Sequence, residues 1–179
     1  ELDARPDPRF PATQPTRFRV HGVKDEDRQV ERLNQVLDEC KRRKVSILIL
    51  PEIRITEKLL SVAREFLRKQ VFDELEAGRG LLLLVAGSRH LEKDGNWVNR
   101  CTVLDGEGET VWEHDKLRRY RIRPESVTPE LKAQLSLNEH GGIEAIHTGS
   151  RLIYCDGPFG RFTVAICAGF FHSTLLPLL

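Results

Sequence analysis

Apolar positions along this chain recur at two periods, and the change from one to the other marks its elements. In DEDRQVERLNQVLDECKRRK, Val30, Leu33, Leu37 and Cys40 return every three or four residues. That spacing predicts a helix with one buried side. Acids open the segment and bases close it, which suits the helix dipole. A second helix is predicted in EKLLSVAREFLRKQVFDELEAG, where Leu59, Ala63, Phe66, Leu67, Val71 and Leu75 share a side and Gly78 and Gly80 end the run. FRVHGV is a short strand candidate. VSILILPE and LLLLVAGS are unbroken apolar runs, the pattern of strands buried on both faces.

Beyond residue 96 the texture changes. WVNRCTVLDGEGETVWEHDKL reads as two strands around a DGEGE turn, and RLIYCDGPFGRFTVAIC as a second hairpin turning at DGPFG. The polar stretch between them, from about 118 to 142, holds one helix candidate, PELKAQL, and FHSTLLPLL begins another helix. Strand, helix, strand, helix, strand, then hairpins, then strand into helix is the order of an α/β domain with a mixed sheet.

Composition narrows the class. With 179 residues, 40% of them hydrophobic, the chain is long enough for one domain with its own core. ELDARPDPRFPATQPT carries four prolines and reads as a linker or arm over residues 1–16, leaving 17–179 as the domain. The 28 basic and 27 acidic side chains nearly cancel, so no general attraction to nucleic acid or to a membrane surface is expected. No apolar run has the length of a membrane helix and no signal-peptide pattern opens the chain. Cys40, Cys101, Cys155 and Cys167 lie far apart with no CxxC pair and no histidine at metal spacing. They read as reduced thiols of a cytoplasmic protein that needs no metal. A start at Glu1 and the absence of methionine suggest part of a longer product.

Catalytic groups in α/β sheets gather at the carboxyl ends of strands, and three ends here carry suitable chemistry. Glu52 follows ILILP, Lys116 follows VWEHD, and Cys167 follows FTVAI. Singly, each has a plain structural reading: an acid ahead of a helix, a solvated strand-end charge, a buried thiol. Together they form one logic, in which a thiol attacks a carbonyl or nitrile carbon, a carboxylate takes its proton and an ammonium steadies the developing charge. The start of the FFHSTLL helix would lower the thiol's pKa.

At these residues the chain resembles the nitrilase superfamily of carbon–nitrogen hydrolases. ILILPE matches the family's strand ending in Pro-Glu, which assigns the general base to Glu52. GSRHLEKDGNWVNRCTVLDGEGETVWEHDKL matches the strand-turn-strand with Gly-Ser before it and an Asn within it, and assigns the lysine to Lys116. GRFTVAIC matches the strand ending Ile-Cys, and assigns the nucleophile to Cys167. EAIHTG has the shape of the segment carrying a second acid, so Glu144 is the candidate that orients Lys116 and the substrate. The resemblance runs from about residue 17 to the end. It implies a nitrilase-like αββα sandwich with mixed sheets and a homodimer or higher homo-oligomer. It further implies hydrolysis, or acyl transfer, at a small non-peptide amide, carbamoyl or nitrile substrate. Cys167 would form a thioester, Lys116 and the backbone N–H of Ala168 would hold the oxyanion, and no cofactor is required.

Two features depart from the family's pattern. Gly169 stands where an acid is usual, and the chain stops one helix after the nucleophile although family domains continue well beyond it. An impaired domain serving as a binding, sensing or assembly module is therefore the rival expectation. KRRK at 41–44 reads as a helix C-terminus and DGEGE as a turn. Cys155 reads as a structural thiol, and His172 is set aside as a thiol partner because Glu52 is available. Arg119, Arg121 and Arg123 are candidates for selecting an acidic substrate.

Overall fold

A computed structural model describes residues 2–6, 14–70, 80–157 and 160–167. In chain order its elements are β1 (Leu2–Pro6), β2 (Thr16–Val23), α1 (Glu26–Arg43), β3 (Ile47–Ile49), α2 (Glu57–Gln70), β4 (Leu83–Lys93), β5 (Asn96–Asp105) and β6 (Thr110–Asp115). They continue with β7 (Arg121–Ile122), a short 3-10 turn (Pro124–Ser126), α3 (Pro129–Leu135), β8 (Gly142–Glu144), β9 (Tyr154–Gly157) and β10 (Gly160–Thr163). The strands form two four-stranded sheets, ordered β1-β2-β8-β7 and β3-β4-β5-β6, and a β9-β10 ribbon. β2 runs parallel to β8 whereas β7 runs antiparallel to it, so the first sheet is mixed.

The chain divides into two units. One comprises Val23–Arg89 and Cys101–Glu113. Its core is built from the helical periodicities seen in the sequence: Leu33 and Leu37 of α1 and Leu59, Leu60, Ala63 and Leu67 of α2 pack with Leu81, Leu84, Ala86 and Leu104. Leu37, Ala63, Leu67, Leu84 and Leu104 keep no exposed surface, and burying each such leucine contributes about 2 kcal/mol. Asp25 caps α1 by accepting from Arg28 N–H at 3.3 Å, and Lys44 ends it in the left-handed region. Thr56 accepts from Leu59 N–H at the start of α2 and bonds Glu26 of α1, and Lys58 pairs with Asp27 at 2.6 Å, which ties the two helix starts together. The KRRK bases lie at the end of α1, where Arg42 and Arg43 both reach Glu39.

The other unit comprises Glu1–Gly22, His90–Arg100 and His114–Leu179. Phe18, Ile122, Leu135 and Leu137 form its apolar cluster under the mixed sheet. Thr128 caps α3, confirming PELKAQL as a helix. Within the stretch read as an arm, Leu2–Pro6 forms the edge strand β1.

Two expectations change. VSILILPE yields only the three-residue strand β3, and it is not buried on both faces: Ile47 is 39% and Ile49 70% exposed. β3 stands at the end of its sheet with β4 as its neighbour, so neither its outer edge nor both its faces are covered among the described residues. The strand expected to run to Cys167 ends at Thr163, because its ladder with the four-residue β9 stops at Thr163↔Tyr154. The expected helix beginning in FHSTLLPLL lies outside the described residues. No described helix is long and apolar enough to cross a membrane.

Candidate active site

Lys116 leaves the end of β6 fixed at both backbone groups. Its N–H donates to Asn99 O at 2.8 Å, and its carbonyl accepts from Gly149 N–H at 2.9 Å. A Cβ at Gly149 would lie 2.4 Å from the Asp115 carbonyl oxygen, so glycine is what lets this loop close over the strand end. The side chain then turns inward: Lys116 and Glu144 are each 1% exposed, with Lys116 Nζ 2.8 Å from Glu144 Oε2. The Tyr120 ring lies 5.8 Å from the ammonium, within the range of a cation–π contact.

Glu144 ends β8 inside a full set of donors. Oε1 accepts from His90 Nε2 at 2.8 Å and Asn99 Nδ2 at 2.7 Å, while Oε2 accepts from Lys116 Nζ and from Tyr120 N–H at 2.9 Å. Burial alone would raise its pKa. The His90 hydrogen bond and the Lys116 charge overcome that and hold it at about 2. A carboxylate so held favours its ionised form, and the ammonium it meets is buried with it. Of the five residues assigned from sequence, the structure thus brings Lys116 and Glu144 into contact.

Glu52 belongs to the other unit, in the turn after β3. The chain around it is strapped across β4. Gly87 has φ +70, and a Cβ there would meet the Pro51 carbonyl oxygen at 2.3 Å, so the Gly-Ser pair admits the Pro-Glu segment. Ser88 Oγ accepts from Ile53 N–H at 3.2 Å, and Leu50 N–H donates to Val85 O at 2.9 Å. Ile53 itself has φ 54, a left-handed conformation that is strained for a β-branched residue. Glu52 is half-buried and stands five residues before the first residue of α2, Glu57. It is therefore not the helix-opening acid of the plain structural reading.

Cys167 is exposed and also adopts a positive φ, 48. That conformation is strained for a residue with a side chain. The other thiols are differently placed: Cys40 and Cys101 are buried, with burial pushing Cys101 up to about 12, and Cys155 is half-buried in β9. Ala168, Gly169 and His172 lie outside the described residues. Arg119 donates to the Ile146 carbonyl at 2.8 Å, while Arg121 and Arg123 are exposed. Among the described residues no cluster of metal-binding side chains is found.

Sequence reasoning missed His90, Asn99 and Tyr120. His90 and Asn99 do carry a signal, because each is a polar residue at a buried strand position and so requires a partner. Tyr120 contributes its backbone N–H, which no side-chain pattern announces.

The chain belongs to the carbon–nitrogen hydrolase family, whose model it matches over residues 13–176. Its fold is that of the nitrilase superfamily. It is similar to Nit3 of Saccharomyces cerevisiae, a member of branch 10 of that superfamily, at 14% identity and a TM-score of 0.59, covering 88% of this chain and 55% of that one. It is also similar to an amidase from Nesterenkonia sp., at 16% identity and a TM-score of 0.53, covering 82% and 51%. For the NitFhit protein of C. elegans the values are 16%, 0.51, 84% and 37%. The chain thus spans about half the length of the first two. A comparison with curated proteins found no match.

Proposed function

We propose that this chain carries the active site of a thiol hydrolase acting on a non-peptide carbon–nitrogen bond of an amide, carbamoyl or nitrile compound. Cys167 Sγ attacks the carbon, and its proton passes to Glu52. With an amide or carbamoyl substrate, Glu52 returns that proton to the leaving amine as the C–N bond breaks and a thioester forms; with a nitrile the proton goes to the nitrogen to give a thioimidate, and a water adds to it before ammonia leaves and the thioester forms. Glu52 then takes a proton from water, which attacks the thioester carbon and releases the acid and the thiol. Lys116, together with the Ala168 N–H, faces the oxygen on which negative charge develops, and Glu144 keeps the lysine in place.

The observation that carries this reading is the buried Lys116–Glu144 pair at 2.8 Å. Desolvating two charges is expensive, and four donors around one carboxylate are an arrangement suited to holding a cation in a fixed position rather than to general stability. The family membership and the left-handed backbone at Cys167 support the same assignment. In a variant of the Nesterenkonia amidase, the acetamide moiety of fluoroacetamide is attached to the active-site cysteine.

The test uses the full-length protein with a panel of short aliphatic amides and N-carbamoyl compounds, with ammonia release as the readout. Turnover by the wild type, its loss in Cys167→Ala and a thioester mass on Cys167 in Glu52→Gln are expected. Turnover that survives Cys167→Ala overturns the nucleophile. Absence of turnover across the panel, with Cys167 no more reactive than Cys155 toward fluoroacetamide, favours a binding or assembly module.

A further inference from the structure

His90 sits in β4, 7% exposed with its side chain fully buried, and both ring nitrogens are engaged. Val20 N–H donates to Nδ1 at 2.9 Å. A backbone N–H can only donate, so Nδ1 carries no proton and the ring proton resides on Nε2. That proton points at Glu144 Oε1, 2.8 Å away. The backbone of β2 therefore fixes the tautomer, and the tautomer fixes a donor on the carboxylate.

The two oxygens of Glu144 divide their work. Oε2 holds Lys116 and Tyr120 N–H, whereas Oε1 takes only side-chain donors, His90 and Asn99. Turning the carboxyl group about its last bond would break contacts on both oxygens at once. His90 is braced by a main-chain group on its far side, Val20 N–H. The charged groups shown to meet in this cluster are Lys116 and Glu144, with His90 as a neutral donor.

We propose that His90 is a positioning residue for Lys116, acting through Glu144: held as the Nε2–H tautomer by Val20, it locks the carboxylate rotation that places the ammonium. This rests on the reading of Lys116 as part of the reacting centre. Freed of His90, the carboxylate gains a rotational degree of freedom, and a misplacement of about 1 Å at such a group costs up to about a hundredfold in rate. Glutamine is the conservative substitute, because its amide offers an acceptor for Val20 N–H and a donor for Glu144 on one planar group.

The experiment has three arms on the full chain. Long-range 15N spectra of the wild type are expected to show His90 protonated at Nε2 and bare at Nδ1; a proton on Nδ1 overturns the proposal without any variant. The Lys116 15Nζ signal, protected by burial, is expected to broaden or shift in His90→Phe and to persist in His90→Gln. The same signal in all three proteins, or its loss in His90→Gln as fully as in His90→Phe, overturns it. Should His90→Phe not fold, His90→Asn, too short to reach both partners, takes its place.

The third arm follows alkylation of Cys167 by iodoacetamide, with Cys155 as the internal reference. His90→Phe is expected to slow Cys167 at least about tenfold at saturating reagent with half-saturation little changed, and His90→Gln to recover to within about threefold. An equal rate in His90→Phe overturns the link to the reacting centre. A wild type in which Cys167 reacts no faster than Cys155 removes the nucleophile reading instead, and His90 is then decided by the Lys116 signal.

Discussion

The Lys116–Glu144 pair illustrates why a single buried charge is costlier than two. Each is 1% exposed, so deleting either leaves the other buried without the partner it meets at 2.8 Å. Glu144→Leu is expected to destabilise by about 3–5 kcal/mol, and Lys116→Met by a similar amount, while the double variant costs much less than their sum. Urea unfolding of the four proteins measures this, and additive losses would show that the two charges do not depend on each other. Glu144 also sets an acid limit. Its folded pKa of about 2 lies below the ordinary 4.5, so its roughly 3 kcal/mol is fully present above pH 4.5 and drains away as pH falls toward 2. His114 acts at higher pH. It is buried, neither ring nitrogen has a hydrogen-bond partner among the described residues, and burial lowers its pKa below 6.5 despite the opposing pull of Asp115. A lowered histidine pKa means the unfolded chain binds the proton more readily. Stability is therefore expected to fall as pH drops below 6.5, and His114→Phe to flatten that slope in urea midpoints taken from pH 5 to 8.

At the scale of elements, the helices were the most legible part of the sequence. The three-and-four spacing of Val30, Leu33, Leu37 and Cys40 and of Leu59, Ala63, Phe66 and Leu67 depends on local geometry alone, and α1 and α2 form there. Asp105 at the DGEGE turn was equally readable: its side chain accepts from Glu107 and Glu109 N–H at 3.0 and 2.9 Å. The turn joining β4 to β5 was also present in the sequence but went unread. Asp94 and Gly95 both have positive φ, 50 and 74, the conformation a two-residue hairpin turn requires. Strand partners were not legible, because they join residues far apart: β2 lies beside β8, more than a hundred residues later. The candidate site followed the same division. Lys116, Glu52 and Cys167 were assigned from motifs, whereas His90 and Asn99 lie inside the same strand-turn-strand segment as Lys116 without being singled out, because only the folded chain shows that they meet Glu144. The strap over Gly87 offers a test at this scale. Gly87→Ala places a methyl group 2.3 Å from the Pro51 oxygen at φ +70, so the Pro-Glu segment must lift. A loss of about 1–3 kcal/mol is expected, with amide turnover falling in parallel. An alanine variant that keeps both stability and turnover would show that the strap does not set the position of Glu52.

For the molecule as a whole, the telling feature is the contrast between what β3 is made of and where it lies. Ile-Leu-Ile is the composition of a strand enclosed on both faces, and β3 pairs in parallel with β4. Yet it stands at the end of its sheet with Ile49 70% exposed. The chain spans 55% of Nit3 and 51% of the Nesterenkonia amidase. An apolar edge with open backbone groups is a template for pairing with another chain. The 179-residue chain on its own is therefore expected to self-associate, with its scattering rising with concentration and temperature. Ile49→Lys places a charge at the open edge and is expected to suppress that association while changing the unfolding free energy by less than about 0.5 kcal/mol, as an exposed substitution should. Ile55→Lys is the contrasting control, because Ile55 is 4% exposed in the core of the same unit, and a charge there destabilises without curing the association. If Ile49→Lys leaves the scattering unchanged, the surface responsible for association is not this edge, and the apolar composition of β3 then has to be explained within the 179 residues themselves.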